Sequence, residues 1–170
     1  MKLIVLAVFI VAVFYPVRRT VTFQATFQHA NHNQVFRYVS SVENFKALNP
    51  TIVAVTNMAR LNDTSFSLEY EERLSQVPAV HNYGRAVYSL GKEPDGSRKM
   101  TSDHSTCFYT DLFCLDSSAI LKISSISGRE TGYTEEITYT CPWILGFFCF
   151  EEVAHQRKSI IFKLKQVFSE

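Results

Sequence analysis

The stretch Tyr133-Thr-Glu-Glu-Ile-Thr-Tyr-Thr-Cys141, followed by Pro142-Trp-Ile-Leu-Gly146, leads from a strand pattern into the last helix of the chain. The alternation of apolar and polar residues up to Cys141 predicts a half-buried strand. After Gly146 the apolar residues recur at the spacing of an amphipathic helix, at Phe150, Val153, Ile160, Ile161, Leu164, Val167 and Phe168. A sheet that ends in one long helix lying across it often encloses an apolar cavity, so a cavity is expected here.

Upstream of this stretch the sequence predicts an α+β domain. The predicted elements are a strand at 20–29, two short helices at 34–40 and 42–49, and strands at 51–60, 65–74, 80–90, 99–110 and 119–127. Turn sequences such as Gly91-Lys-Glu-Pro-Asp-Gly96 separate consecutive strands, which is typical of antiparallel hairpins. With the strand at 133–141, about seven strands form a curved antiparallel sheet that carries the helices on one face.

The composition favours one globular domain and gives no support to nucleic-acid binding. The chain has 170 residues, of which 46% are hydrophobic and 19% charged, and a formal net charge of +1. No basic block interleaves with aromatic residues, as a nucleic-acid-binding surface would require. His29 and His32 have no third metal ligand nearby, and no phosphate loop, nucleophile elbow or Cys-x-x-Cys motif occurs. We therefore expect neither a metal nor a cofactor, and a monomeric domain.

Residues 1–17 are predicted to be a hydrophobic signal peptide or membrane anchor, separate from a ligand-binding domain at 18–170. The apolar run from Leu3 to Tyr15 is unbroken. As a helix it spans roughly 20 Å, which is short of the roughly 30 Å hydrocarbon core and typical of a signal peptide. The small residues of a cleavage site are missing around Tyr15-Pro-Val-Arg-Arg19, so an uncleaved anchor is an equal alternative. The expected protein is membrane-anchored or secreted, with an anchored domain in the cytosol as the alternative.

Two features favour the secretory pathway. Asn62-Asp-Thr64 is an N-glycosylation sequon in a predicted loop. The four cysteines, Cys107, Cys114, Cys141 and Cys149, fit two disulfide bonds, with four buried thiols as the alternative. The strand order places the last three near one end of the sheet, and the sequence leaves the pairing open.

The order of these segments resembles that of the SRPBCC superfamily, the START-like, polyketide-cyclase and lipid-transport group with the helix-grip fold. The resemblance rests on Phe27-Gln-His-Ala-Asn-His-Asn-Gln-Val-Phe-Arg-Tyr-Val39, on Val42-Glu-Asn-Phe-Lys-Ala-Leu-Asn-Pro50, on the turn Pro142–Gly146 and on the terminal helix. It covers about residues 20–168. It implies a tunnel or cup between the sheet and the last helix, where family members bind sterols, phospholipids, isoprenoid quinones, polyketides or plant hormones.

Residues whose alternation points them toward the predicted cavity are the candidate ligand contacts. They are Phe23, Phe27, Phe66, Tyr70, Asn82, Tyr88, Glu135 and Tyr139 on the strands, with Ile160, Ile161 and Leu164 on the helix. Asn82 and Glu135 alternate in step with apolar residues of their strands, so both are expected to face the cavity. Asn82 is a candidate hydrogen-bond partner of the ligand, and Glu135 is a candidate acid or a group that orients the ligand. Plain core packing for the apolar residues, and exposed positions for the two polar ones, are the alternatives.

Three functions are consistent with these features. The main hypothesis is non-enzymatic binding or transport of a hydrophobic small molecule or lipid, with the membrane contacted through the N-terminal segment. The first alternative is a cyclase-type or hydrolase-type enzyme, which would need Glu135, His104 and a tyrosine to converge in the cavity. The second is a protein-interaction module whose cavity is filled by side chains.

Overall fold

The computed structural model describes residues 15–108 and 113–168. Within them the chain forms one seven-stranded antiparallel sheet in the order β1-β7-β6-β5-β4-β3-β2. The strands are β1 Pro16–Gln28, β2 Ile52–Arg60, β3 Ser65–Arg73, β4 His81–Lys92, β5 Arg98–Phe108, β6 Phe113–Ser127 and β7 Glu130–Pro142. Strands β2 to β7 each pair with the next along the chain, and β1 closes the order by pairing with β7. The predicted α+β class and sheet are confirmed.

Strand β1 begins earlier than the sequence predicts. It pairs with β7 without interruption, from Pro16 opposite Pro142 to Gln28 opposite Glu130. Pro16 and Val17, which fall in the segment predicted as signal peptide or anchor, therefore belong to the sheet. Residues 1–14 of that predicted segment lie outside the described residues.

Two short helices connect β1 to β2, and one long helix follows β7. They are α1 His32–Val39, α2 Val42–Leu48 and α3 Gly146–Phe168, the last preceded by a 3-10 turn at Trp143–Leu145. Asn31 caps α1, and its Oδ1 accepts a hydrogen bond from the Asn33 backbone N–H at 2.8 Å. None of the helices among the described residues is long and apolar enough to cross a membrane.

The core consists of three clusters on the sheet face that carries the helices. One lies under α1 and the end of α3 around Phe27, Leu121 and Leu164; a second lies under α2 around Phe45 and Tyr88. The third, smaller cluster contains Ala119, Ile137, Tyr139 and Cys141. Because all three clusters contribute to the wall of one cavity, the core surrounds a space in its middle.

Candidate functional site: a cavity between the sheet and the terminal helix

The cavity has a volume of about 560 Å³ and lies between the sheet and helices α2 and α3. Most of its wall is apolar. The sheet contributes Phe66, Tyr88, Leu121 and Ile137, and the helices contribute Phe45, Leu48 and Ile160. The volume is within the range of about 300–1,000 Å³ that small-molecule sites occupy.

Seven of the eleven predicted contact residues lie on this wall: Phe66, Tyr70, Asn82, Tyr88, Glu135, Tyr139 and Ile160. The other four, Phe23, Phe27, Ile161 and Leu164, do not. Phe27 and Leu164 pack with Val35 of α1, which fills the space over that part of the sheet. Phe23 packs against the small cluster around Ala119, and Ile161 against the cluster under α1.

A buried ion pair crosses the cavity between the helix and the sheet. The Arg157 Nη1 of α3 lies 3.2 Å from the Glu135 Oε1 of β7, and the Glu135 side chain is only 5% exposed. The Tyr133 hydroxyl donates to the other Glu135 oxygen at 2.5 Å. Burial, followed by the negative charge of Glu135, raises the pKa of Tyr133, so its hydroxyl remains a donor. Arg157 was missed as a site residue because charged residues on an amphipathic helix usually face water.

A second polar group lies on β3 and β5, the two strands that flank β4. The Tyr70 hydroxyl is 3.1 Å from the His104 Nδ1, and the His104 Nε2 is 3.0 Å from the Ser102 Oγ. Burial lowers the pKa of His104 to about 3, with the Arg157 charge acting in the same direction. His104 is therefore neutral at physiological pH. It faces the cavity together with Glu135, but the two residues belong to separate hydrogen-bond groups.

A third polar group contains Glu72 and Asn82, which are direct cross-strand neighbours on β3 and β4. Asn82 is fully buried, and neither its Oδ1 nor its Nδ2 has a hydrogen-bond partner among the described residues. Burial, followed by the charge of Glu152, raises the pKa of Glu72 to about 7. Asn82 and Thr106 lie close enough to oppose that rise. Both Glu72 and Asn82 line the cavity.

Glu152 connects α3 to the loop between β3 and β4. The Ser75 backbone N–H lies 3.0 Å from both Glu152 carboxylate oxygens, and the Ser75 Oγ donates to Oε2 at 2.6 Å. These hydrogen bonds satisfy the Glu152 carboxylate although the residue is buried. They also hold α3 to the loop between β3 and β4.

Gly84 positions Tyr70 on the cavity wall. The two residues are direct partners on β4 and β3, and a Cβ built on Gly84 would lie 2.3 Å from Tyr70 Cζ. Only a residue without a side chain lets the Tyr70 ring cross the neighbouring strand in this way. The ring thereby reaches His104 and packs edge-on against Phe45.

The remaining predicted sites are the four cysteines and the glycosylation sequon. The structure joins Cys107 to Cys114 and Cys141 to Cys149. Asn62 lies in the exposed loop between β2 and β3, where its Oδ1 accepts hydrogen bonds from the backbone and hydroxyl of Thr64. Among the described residues, no group of three histidine, cysteine or acidic side chains is placed to hold a metal ion.

Three solved structures share this architecture. The Zhui aromatase/cyclase from Streptomyces sp. R1128 is 8% identical at a TM-score of 0.63, over 88% of this chain and 95% of that one. The lipid transfer and protein localization domain of human StarD13 (DLC2) is 10% identical at a TM-score of 0.65, over 88% of this chain and 77% of that one. Norcoclaurine synthase from Thalictrum flavum is 9% identical at a TM-score of 0.62, over 93% of this chain and 90% of that one. No protein-family model matches the chain, and neither does any curated protein.

These likenesses confirm the resemblance to the SRPBCC superfamily at the level of the fold. The chain has a START-like architecture, in which a long C-terminal helix covers a curved antiparallel sheet. Proteins with this architecture include a lipid transfer domain and two kinds of enzyme. At identities of 8–10%, these likenesses show the fold alone.

Proposed function

We propose that this protein is a non-enzymatic carrier or sensor that binds a hydrophobic small molecule or lipid between the sheet and α3. The observation that carries the proposal is an apolar-walled space of about 560 Å³ that includes an unpartnered, fully buried amide at Asn82. Burying a polar group without a partner is unfavourable, so a ligand that hydrogen-bonds Asn82 removes that penalty. The likeness to a lipid transfer domain supports the same function.

The open cavity argues against the interaction-module alternative. That alternative requires side chains to fill the space between the sheet and α3. The aromatic residues expected to fill it instead pack on one another at its edge, where Phe66 stacks on Tyr88 with ring centroids 4.9 Å apart. The space between them and Ile160 stays open.

Filling the cavity tests the proposal. Ala119 lines the cavity and is buried, whereas the next residue, Ile120, is exposed on the other face of the sheet. We expect Ala119→Phe to abolish uptake of a neutral fluorescent probe, N-phenyl-1-naphthylamine, by the full chain. Ile120→Phe places the same aromatic ring on the other face of the sheet, outside the cavity, and should leave uptake unchanged. Equal uptake by both variants, with circular dichroism showing both folded, would place the probe elsewhere and contradict the proposal.

The enzyme alternative is favoured by one observation, the raised pKa of Glu72. A carboxyl group with a pKa of about 7 in a cavity is suited to general acid–base catalysis at neutral pH. An enzyme would convert its bound molecule, so an extract of the protein would contain substrate and product. Glu72→Gln cannot transfer the proton, and its extract would then contain substrate alone. A carrier gives the same single molecule from both proteins.

A further inference from the structure

The charges that line the cavity are unbalanced. Among the described lining residues, three carboxylates that are not exposed, Glu72, Glu135 and Glu152, face a single cationic side chain, Arg157. The only lining histidine, His104, adds no positive charge at neutral pH because it is buried in its neutral form. The cavity therefore disfavours an anionic group and favours a cationic one.

The partners of these carboxylates show where a ligand group can bind. Glu135 is engaged by Arg157 and Tyr133, and Glu152 receives its hydrogen bonds from Ser75. Glu72 lies instead beside Asn82, whose amide N–H is close enough to oppose the rise in the Glu72 pKa and whose Oδ1 is buried without a partner among the described residues. A carboxylate and an amide oxygen side by side form a pair of hydrogen-bond acceptors. A ligand group with two or more N–H or O–H donors can satisfy both.

We propose that the polar group of the ligand is a protonated amine, held by Glu72 and Asn82, on a hydrophobic body that occupies the apolar part of the cavity. This inference rests on the proposed function. An ammonium group donates up to three hydrogen bonds and accepts none, which matches the acceptors left at this site. It also reduces the repulsion between Glu72 and Glu152. A carboxylate or phosphate would instead meet two further negative charges, because the Arg157 charge is already balanced by Glu135, although the buried Arg157 Nε has no hydrogen-bond partner among the described residues.

Three ligands with the same chain test the charge preference. Dodecylamine, 1-dodecanol and dodecanoic acid would each compete with the fluorescent probe on the full chain at pH 7.5. We expect the amine to bind at least about tenfold more tightly than the alcohol, which is a free-energy difference of about 1.4 kcal/mol. The acid should bind most weakly. An acid that binds as tightly as the amine overturns the inference.

A matched substitution locates the amine. Glu72→Gln should reduce dodecylamine affinity to that of dodecanol and leave dodecanol affinity unchanged, which also shows that the cavity is intact. Glu136→Gln, on the exposed face of β7, should alter neither affinity. An amine preference that persists in Glu72→Gln contradicts the site. If none of the three compounds displaces the probe, the proposed function itself fails.

A second inference comes from the surface rather than the cavity. Residues 142–150, here called the apolar loop, contain no charged residue and include the exposed side chains of Trp143, Ile144, Leu145, Phe147 and Phe150. Trp143 is 61% exposed and Phe147 is 78% exposed. The disulfide bond between Cys141 and Cys149 closes this segment and fixes both of its ends. A contiguous exposed apolar surface of this kind marks an interaction site.

The apolar loop lies beside the cavity and beside the entry of the chain into the domain. Leu145 and Phe148 belong both to the loop and to the cavity wall. The Trp143 backbone N–H donates to the Tyr15 carbonyl at 3.0 Å. Since Tyr15 ends the unbroken apolar run that starts at Leu3, that run joins the domain at the loop.

We infer that the apolar loop docks on a lipid bilayer and that a hydrophobic ligand enters the cavity there. The position of Tyr15 supports this partner over a second protein copy, because Tyr15 adds an exposed tyrosine beside Trp143, and both residue types are enriched at membrane–water interfaces. Tryptophan at the centre of such a surface is typical of the membrane–water interface. The ligand then passes between the bilayer and the cavity beside Leu145 without crossing water.

The single tryptophan of the chain is a direct probe of this docking. Full-length protein would be mixed with phosphatidylcholine vesicles whose acyl chains are either plain or brominated. We expect a blue shift of Trp143 emission on plain vesicles and strong quenching on brominated ones. The double substitution Ile144→Ser with Phe147→Ser should reduce the quenching several-fold. Phe162→Ser removes an exposed aromatic residue from α3, about 22 Å further along the helix, and should not.

Two results would overturn this second inference. Vesicle-bound protein whose Trp143 is not quenched would show that another part of the chain makes the contact. A blue shift without vesicles that grows with protein concentration would assign the loop to self-association.

Discussion

The cavity depends at the residue scale on a buried ion pair. Removing one partner leaves the other charge buried and uncompensated, which costs about 3–5 kcal/mol, whereas replacing both with apolar residues is often close to neutral. We therefore expect Arg157→Met to lower the free energy of unfolding by several kcal/mol, measured by urea denaturation. Adding Glu135→Leu should recover much of that loss. The neighbouring exposed residue gives the control, because Lys158→Met should change stability by less than about 0.5 kcal/mol.

The raised pKa of Glu72 predicts a pH-dependent stability. The folded protein binds the Glu72 proton more tightly than the unfolded chain between the ordinary value of 4.5 and about pH 7, so this residue's contribution to stability falls as pH rises through that window. Glu72→Gln should be close to wild type at pH 4.5 and more stable by roughly 3 kcal/mol at pH 8. The lowered pKa of His104 acts in the opposite direction, because the unfolded chain binds the His104 proton more tightly between pH 6.5 and about pH 3. This contribution is the same in wild type and in Glu72→Gln, so it does not affect the difference between them.

Thermal denaturation of both proteins across pH 4.5–8 measures this difference. Glu136→Gln, on the outer face of the sheet, should follow the wild type throughout. A constant difference between Glu72→Gln and wild type across that range would show that Glu72 titrates normally.

Strand parity predicts some of the polar site residues and could have predicted more. Asn82 and Glu135 were identified because each alternates with apolar residues that face the cavity. Glu72 follows the same rule, two and four positions after Tyr70 and Leu68, but it stands near a strand end where charges usually reach water. Arg157 occupies the helical stripe of Val153, Ile160 and Leu164. The helical spacing therefore places Arg157 on the buried face of α3. Its burial, however, depends on the ion pair with Glu135, which is distant in sequence.

At the element scale, most boundaries follow from apolar alternation, and the exceptions have structural causes. Strand β6 begins at Phe113 rather than at the predicted residue 119, because its first residues pair with the end of β5 up to Phe108 opposite Phe113. Helix α3 begins at Gly146, since the 3-10 turn after Pro142 leads directly into it. Pairing and turn geometry of this kind are set by neighbouring elements rather than by the local sequence.

The close approach between strands β3 and β4 can be tested at Gly84. A methyl group there would overlap the Tyr70 ring, so Gly84→Ala should displace Tyr70 and cost about 1–3 kcal/mol by overpacking. Gly91→Ala, on the same strand with open space around it, should have little effect. Chemical denaturation measures both, and probe uptake shows whether the displaced ring changes the cavity. Equal stability of the two variants would contradict this role of Gly84.

At the scale of the whole molecule, the architecture could be predicted from the sequence but the extent of the cavity could not. Alternation identifies the face of the sheet that a side chain occupies, and it placed Phe27 and Tyr88 on the same face. It does not indicate whether another element fills the space above them. Helix α1 covers Phe27 through Val35, whereas Tyr88 borders the open cavity. That distinction depends on the packing of α1, α2 and α3 together.

Native mass spectrometry of the full chain purified without detergent, followed by mass spectrometry of its organic extract, tests directly whether the cavity holds a ligand. We expect a complex with one hydrophobic molecule per chain and the same molecule in the extract. We also expect that Ala119→Phe is recovered without that molecule while Ile120→Phe retains it. Folded Ala119→Phe that carries the molecule in the same ratio as wild type would contradict binding in this cavity.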